Sequence, residues 1–491
     1  MKKQSFLYGA TVLAGASILC KMMSAALKIP LDRLFLHEDG IGIYQSAYSI
    51  YNVILAFCVT GIPIALSRLV AQSDEEEGAS LIRSTLVFVT AIASILGILL
   101  FAFAKPLASF LTGGGEAASQ YGLMVLAIAF PFMGVISSRR GYFQGKSIMT
   151  PSALSQLAES LAKVILGIGV CALTYKMGIS YGVAGALSGV SIGAICSALV
   201  LEIAFRRAEV RKGKTSFEKA IRVFKISIPM TLGAFAYTAV MLVDTLSVPQ
   251  ILSHMGIDEM NRRMLFGHLT RANTIYNLPA TVISAITASA VPALVYAKVS
   301  ENKLGETANG VIKLVFLVAL PCALGMILFS KELFLLIYSS TSHSELLVLV
   351  GIMVLVMPYI QTTTAMLQTL GKTWLPIWIS TGAIVLKFVL NILFVDLIGV
   401  EGAVLATITS FLLAAVLNTL LLLKITPIKG GLKTVLKLVL CALIACGGAK
   451  ILHTLKGGTL MLLISVGIAG VLYLALVIGL KCITKEEFKK G

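Results

Sequence analysis

Lys21 and Lys28 are charged residues inside the first long apolar block of the chain. They lie seven residues apart, which is two turns of an α-helix, so both ammonium groups are expected on one helix face. A charge at mid-bilayer costs about 2.5–3.5 kcal/mol on insertion scales, and two cations on an interior face suit a phosphate or diphosphate group. The alternative is that Lys28 reaches the outer surface along its flexible side chain and only Lys21 is buried.

Further ionisable residues fall inside or at the ends of apolar blocks, among them Glu159, Lys163, Asp244 and Arg271. Glu159 and Lys163 are four residues apart with the acid first, the favourable order for an ion pair on one helix, so we expect a structural pair. Asp244 lies near the outer end of its block and Arg271 lies early in the next one. Either side chain could line a central path or sit at the membrane interface.

A small-cation site is a weaker prediction from the later blocks. Lys387 and Asn391 share a helix face, and the Asn391 amide together with the Asp244 carboxylate offers oxygen atoms that suit a small cation. The positive charge of Lys387 beside Asn391 argues against such a site.

The residues around these charges indicate a membrane protein. The chain has 491 residues, of which 57% are hydrophobic and only 13% charged, and its formal net charge is +17. This composition excludes a disordered chain, and the apolar blocks are too long for the core of a soluble enzyme. We predict an all-α polytopic fold with about fourteen membrane helices near 5–30, 41–70, 81–111, 119–138, 150–175, 181–205, 222–248, 265–297, 308–330, 344–369, 374–396, 400–424, 432–453 and 458–481.

The distribution of Lys and Arg predicts the orientation of these helices. Basic residues collect in alternate loops, most densely in 206–222, which places both termini in the cytoplasm. The first block lacks a convincing cleavage site and is expected to be a retained helix rather than a secretory signal.

No enzyme chemistry is predicted. The stretch 141–147, GYFQGKS, is one residue short of a nucleotide-binding loop, because only three residues separate its glycines, and it follows no strand. The eight cysteines and five histidines show no metal-ligand spacing, so no metal or bound cofactor is expected. The dispersed basic charge does not favour a nucleic-acid partner.

A weak internal repeat suggests two lobes. Gly182-Val-Ala-Gly-Ala186 opens the sixth predicted helix and Gly399-Val-Glu-Gly-Ala403 opens the twelfth, six spans later, so both copies share one orientation. The predicted organisation is an N-terminal lobe (1–205), a basic cytoplasmic linker (206–221), a C-terminal lobe (222–424) and a final part (425–491) with two helices and a cytoplasmic tail. Two such lobes are typical of alternating-access transporters.

Short motifs in a consistent order resemble the stage V sporulation protein B family, related to the lipid II flippases in the multidrug, oligosaccharidyl-lipid and polysaccharide exporter superfamily. They cover the chain to about residue 425 and include Lys28-Ile-Pro30, Gly40-Ile-Gly-Ile-Tyr44, Gly61-Ile-Pro63, Arg140-Gly-Tyr-Phe-Gln-Gly145, Met149-Thr-Pro151 and Leu370-Gly-Lys372. The chain departs from the pattern at Thr274, where relatives have Arg, and near Leu55, where lipid II flippases have another Arg.

The resemblance implies a flippase in the cytoplasmic membrane that moves an undecaprenyl-diphosphate-linked oligosaccharide or peptidoglycan precursor. Lys21 and Lys28 would hold the diphosphate, with Arg271 and Arg33 as further candidates. Partners would be this lipid-linked sugar, membrane lipids and cell-wall synthesis enzymes. A Na+ or H+ gradient or the membrane potential stays open as the energy source. The alternatives are a cation-coupled multidrug exporter of the same fold and a scaffold for wall synthesis that transports nothing.

Overall fold

The computed structural model describes residues 6–114, 118–209, 213–299, 304–426, 431–480 and 482. These residues form helices and connecting turns and contain no β-strand, so the predicted all-α class is confirmed. Ten of the described helices are long and apolar enough to cross a membrane, or eleven if one pair bent by 43° counts as a single span. The protein is therefore a multi-pass membrane protein.

The first ten helices coincide with the first seven predicted spans. They are α1 (Phe6–Leu31), α2 (His37–Leu55), α3 (Ile62–Gln72), α4 (Glu75–Ala102), α5 (Ala104–Leu111), α6 (Gln120–Ala127), α7 (Phe130–Gly145), α8 (Thr150–Thr174), α9 (Ile179–Arg206) and α10 (Phe217–His254). Short π-helical segments, Asp32–Leu36 and Ala56–Gly61, join α1 to α2 and α2 to α3. The bent pair is α6 and α7.

The remaining helices are α11 (Glu259–Val299), α12 (Leu304–Leu328), α13 (Ser330–Tyr338), α14 (Glu345–Thr369), α15 (Trp374–Ile398), α16 (Glu401–Ile425), α17 (Gly431–Lys456) and α18 (Thr459–Gly479). The ten or eleven helices that meet the membrane-crossing criteria do not include α1, α10 and α11. These three helices coincide with the remaining three predicted spans. Each predicted span thus coincides with one helix or with two consecutive helices of the structure.

Prolines lie at several helix starts and inside two continuous helices. Pro63, Pro131 and Pro151 occupy the first turns of α3, α7 and α8, where the missing backbone N–H has no helical partner to lose. Pro321 and Pro358 lie inside α12 and α14. Such interior prolines need neighbouring groups to satisfy the freed backbone carbonyls.

Glycines allow α8 and α9 to pack with their backbones in contact. A Cβ atom added at Gly189 would lie 2.6 Å from the Lys163 carbonyl oxygen, and one at Gly193 would lie 2.7 Å from the Glu159 carbonyl oxygen. Gly185 meets α8 one turn earlier in the same way. Gly185, Gly189 and Gly193 recur every fourth residue, and this stripe holds the part of α8 that carries Glu159 and Lys163 against α9.

The chain divides into two compact units, Met1–Thr270 and Arg271–Gly491, called here unit 1 and unit 2. The division lies within α11, later than the lobe boundary predicted at 206–221. Unit 1 includes α10 because this helix packs on α2, α3 and α4: a side chain at Gly61 would collide with Ser227 and Thr231 of α10. The described end of the linker also packs on α4, where the Ser80 hydroxyl donates to the Lys214 carbonyl oxygen. The repeat of two six-helix lobes stays a prediction.

Candidate functional site

The two lysines of α1 differ in their surroundings. Lys21 is exposed on the helix surface and forms no hydrogen bond or ion pair with any described residue. Lys28, two turns later, is half-buried, and its ammonium donates to Gln45 Oε1 at 2.8 Å. Lys28 is thus the more buried of the two lysines, which is opposite to the alternative in which only Lys21 is buried.

Gln45 connects Lys28 to the polar face of α2. The Gln45 side chain is 8% exposed, and its amide nitrogen donates to Ser49 Oγ at 2.9 Å. Gln45 and Ser49 are one helical turn apart, so α2 presents an amide and a hydroxyl on the face that receives Lys28. Both of these acceptors are neutral.

A second ammonium group reaches the same face of α2 from α8. Lys163 is 7% exposed, and its Nζ donates to the Tyr48 hydroxyl at 2.8 Å while lying 4.4 Å from the centroid of the Tyr48 ring. Tyr48 stacks between Tyr44 and Tyr51, at centroid distances of 5.6 and 5.9 Å. Lys28 and Lys163 thus donate to residues of the same turn of α2, Gln45 and Tyr48. Unit 1 therefore brings two ammonium groups together on neutral acceptors.

The predicted Glu159–Lys163 ion pair is wrong, because Glu159 pairs with a residue of α7 instead. The Arg140 guanidinium donates to Glu159 Oε2 at 2.9 Å and also to Ser155 Oγ at 3.1 Å and Ser197 Oγ at 2.9 Å. A buried guanidinium can satisfy several acceptors at once, which the spacing of two residues on one helix cannot provide. Glu159 still attracts Lys163 through space, but Lys163 hydrogen-bonds only to Tyr48 among the described residues.

Sequence reasoning missed these arginines and the acceptors on α2. Arg139 and Arg140 follow the predicted span 119–138, but α7 continues to Gly145 and buries both side chains. Arg139 pairs with Glu202 at 3.0 Å. The sequence does carry one signal for these arginines. Two carboxylates, Glu159 and Glu202, lie in apolar blocks, and carboxylates at such positions need cationic partners.

The other predicted substrate-binding residues lie elsewhere. Arg33 is exposed in the π-helical segment that follows α1. Arg271 is 4% exposed in unit 2, where its guanidinium lies 5.0 Å from the centroid of the Tyr338 ring and its carbonyl oxygen accepts from the Tyr338 hydroxyl at 3.1 Å. Lys28 and Lys163 therefore both lie in unit 1, whereas Arg271 lies in unit 2.

The two residues of the predicted cation site are both buried but belong to different units. Asp244 is 4% exposed in unit 1, and Asn391 is completely buried in unit 2. One turn before Asn391, the Lys387 ammonium donates to Thr407 Oγ1 at 2.7 Å and to the Ala403 carbonyl oxygen at 3.3 Å. Oxygen atoms suited to a small cation are therefore in contact with a resident positive charge. Within the described ranges, no cluster of His, Cys, Asp and Glu could hold a metal ion.

Comparison with known proteins agrees with this architecture. The stage V sporulation protein B of Bacillus subtilis (strain 168) is 24% identical over an alignment that covers 100% of this chain and 98% of that protein. A solved structure of the lipid II flippase MurJ in an inward closed conformation has a TM-score of 0.73 at 16% identity, covering 96% of this chain and 99% of that one. An inward-facing multidrug resistance MATE family transporter of the MOP superfamily has a TM-score of 0.64 at 17% identity, covering 82% and 93%.

These two structures share the all-α transporter fold of this chain. A family profile described as "polysaccharide biosynthesis protein" matches residues 6–298, which is more than half of the chain. The chain therefore belongs to the polysaccharide biosynthesis protein family.

Proposed function

We propose that this protein is a flippase that moves an undecaprenyl-diphosphate-linked oligosaccharide or peptidoglycan precursor across the cytoplasmic membrane by alternating access. The family, the flippase fold and the full-length similarity to a sporulation protein support a transporter of lipid-linked precursors rather than an enzyme. In this proposal both termini are cytoplasmic, as the loop charges predict. The polyprenyl tail stays in the lipid while the protein holds the polar headgroup.

The observation that carries the proposal is the pair of ammonium groups at Lys28 and Lys163. Each donates to a neutral acceptor, Gln45 or Tyr48, and no carboxylate among the described residues accepts a hydrogen bond from either one. An ammonium group has three N–H donors, so one neutral acceptor leaves both donors and charge available. A diphosphate supplies several anionic oxygens and forms the stronger charge-assisted hydrogen bonds.

Lys21 extends this cationic face by two helical turns. It is exposed and has no partner among the described residues, and it shares its helix face with Lys28 because α1 is continuous between them. A long anionic headgroup could contact both ammonium groups in succession. We therefore assign Lys28 the main role in binding the diphosphate and Lys21 a supporting one.

A multidrug exporter is the second candidate, and the similarity to the MATE transporter fold favours it. Export of cationic drugs would need an available carboxylate within the membrane. Glu159 is already paired with Arg140, so drug binding at this carboxylate would have to break a buried ion pair. The scaffold alternative predicts that Lys28 can be replaced without consequence.

Binding of undecaprenyl diphosphate to the purified chain tests the proposal. We expect Lys28→Ala to weaken binding about tenfold or more, because hydrogen bonds to charged groups contribute roughly 1.5–3 kcal/mol. Lys28→Arg keeps the charge and should retain part of the affinity. Lys176→Ala, at an exposed lysine of the 3-10 turn after α8, is the matched control. Undecaprenol, which lacks phosphate, should bind both wild type and variants equally weakly.

A cellular experiment separates the three functions. In a strain depleted of the protein, we expect lipid-linked precursors to accumulate, wild type to restore their turnover and an inserted Lys28→Ala chain to fail. Full restoration by Lys21→Ala/Lys28→Ala, present in the membrane at the wild-type amount, would refute the flippase mechanism. Loss of resistance to cationic dyes with unchanged precursor turnover would favour the exporter instead.

A further inference from the structure

Lys387 is a completely buried charged residue of unit 2 that the proposed flippase mechanism does not use. It lies in the middle of α15, and its Nζ donates to two oxygen atoms of α16, Thr407 Oγ1 at 2.7 Å and the Ala403 carbonyl at 3.3 Å. The Thr407 hydroxyl itself donates to the same Ala403 carbonyl at 2.9 Å. The lone pairs of Thr407 Oγ1 are therefore available to the ammonium group.

The oxygen atoms around Nζ are of the kind that binds small monovalent and divalent cations. Backbone carbonyls, hydroxyls and amide oxygens replace the hydration shell of such ions in proteins. Asn391 adds a completely buried amide one helical turn after Lys387. An ammonium group carries the same single charge as Na+ or K+, but it is attached to the chain and cannot exchange.

We infer that the Lys387 ammonium takes the place of an exchangeable cation between α15 and α16. Unit 2 thus carries a tethered cation, and the oxygen atoms of Ala403 and Thr407 bind no free Na+ or K+ while Lys387 is present. Removal of the amine opens the same oxygen atoms to a monovalent cation from solution. This inference concerns unit 2 alone and is independent of how unit 1 binds its substrate.

Thermal unfolding of the full-length purified chain tests the inference. The unfolding midpoint is measured in NaCl, KCl, methylammonium chloride and choline chloride at one ionic strength, because a ligand that binds only the folded state raises this midpoint. For wild type we expect the same midpoint in all four salts. A saturable stabilisation of wild type by Na+ or K+ over choline would overturn the inference, whatever the variants do.

Lys387→Ala removes the tethered charge. We expect a lower midpoint in choline chloride and a saturable rise, on the order of 2 °C, in at least one of the three small cations. Thr407→Val in the Lys387→Ala background removes one of the two acceptors and should abolish that rise. A folded Lys387→Ala chain that no small cation stabilises more than choline does would also overturn the inference.

Lys163→Ala is the matched control, since it removes a buried lysine that donates to a tyrosine hydroxyl rather than to a carbonyl oxygen. We expect no salt-specific rise for this variant. An equal rise in Lys163→Ala and Lys387→Ala would show a general effect of removing a buried charge and would refute a specific site between α15 and α16.

Discussion

The helix pairs α8–α9 and α15–α16 are built alike but use a buried lysine differently. Each pair follows a Gly-Lys turn and begins with a proline in the first turn, and each first helix carries a buried lysine, Lys163 or Lys387. Lys163 donates to α2, outside its own pair, whereas Lys387 donates to α16, the helix next to it in the pair. A buried lysine therefore connects α8 to α2 in unit 1. In unit 2 it connects the two helices of one pair, α15 and α16.

The acceptors explain the difference in role. Lys387 has a backbone carbonyl and a hydroxyl within hydrogen-bond distance and is completely buried, so its charge serves the packing of α15 on α16. Lys163 has one hydrogen-bond acceptor, the Tyr48 hydroxyl, and lies near a second ammonium group, that of Lys28, which is half-buried. Among the described residues, Lys28 and Lys163 each donate to one neutral acceptor, which leaves further N–H donors on both ammonium groups, so the unit 1 arrangement favours a ligand-binding role.

The largest expected effect concerns the ion pair that ties α8–α9 to α7. Arg140→Leu leaves Glu159 without its partner, and we expect the free energy of unfolding to fall by about 3 kcal/mol, as for other broken buried pairs. Chemical denaturation of the purified chain measures the loss. Arg139→Leu is the matched control and should cost less, because Glu202 keeps a second ion-pair partner, Arg206, at 3.3 Å. Equal losses in the two variants would contradict a special role for Arg140.

The double variant Arg140→Leu/Glu159→Leu sharpens this prediction. Replacing both members of a buried pair by apolar residues removes the unpaired charge, so part of the stability should return. No recovery would indicate that Arg140 stabilises the three helices mainly through Ser155 and Ser197. The ion pair would then be secondary to the hydrogen bonds.

A smaller effect is expected from removing one hydroxyl acceptor in each helix pair. Thr407→Val deprives the Lys387 ammonium of its shorter hydrogen bond and should cost about 1–2 kcal/mol of unfolding free energy. Tyr48→Phe should cost less, because the aromatic ring remains 4.4 Å from Lys163 and still attracts the cation. A larger loss for Tyr48→Phe would mean that the hydroxyl, not the ring, holds Lys163.

Hydropathy and residue spacing predicted the helices and the shared face of Lys21 and Lys28, because both depend only on helix geometry and on lengths set by the bilayer. The partner of Glu159 could not be predicted in this way. The spacing rule compares residues of one helix, whereas Arg140 approaches from α7 and binds more acceptors than Lys163 could. The length of α7 was underestimated because paired arginines at the end of an apolar block resemble loop residues until their buried carboxylate partners are known.

The role of α2 could not be predicted from the sequence for a similar reason. Gln45, Tyr48 and Ser49 are uncharged, so they give no signal in a search for charges within the membrane. Their importance follows from two cations that approach from α1 and α8, which only the tertiary structure brings together. Sequence patterns therefore located the cations and missed the acceptors that distinguish Lys163 from Lys387.

The smallest expected effect distinguishes the starts of α9 and α16. Glu401 in the motif that opens α16 replaces Ala184 of the repeat copy, and its Oε1 lies 3.3 Å from His343 Nδ1. The hydrogen bond to Glu401 raises the pKa of His343 above its ordinary value, partial burial opposes this shift, and the Glu345 carboxylate adds to it. Because the pKa is raised in the folded state, the pair stabilises unit 2 fully below the ordinary pKa of histidine, and this contribution is lost as the pH rises through the raised pKa.

Comparison of wild type with His343→Gln between pH 5.5 and 8.5 measures this contribution. We expect the wild-type advantage in unfolding free energy to be about 0.5 kcal/mol at the acidic end, since the pair is partly exposed and screened by solvent, and to vanish at the basic end. Glu401→Gln should remove the same pH dependence, because the ion pair needs both His343 and Glu401. A wild-type advantage that grows with pH would have the wrong sign for this pair and would assign the stabilisation of α16 to another group.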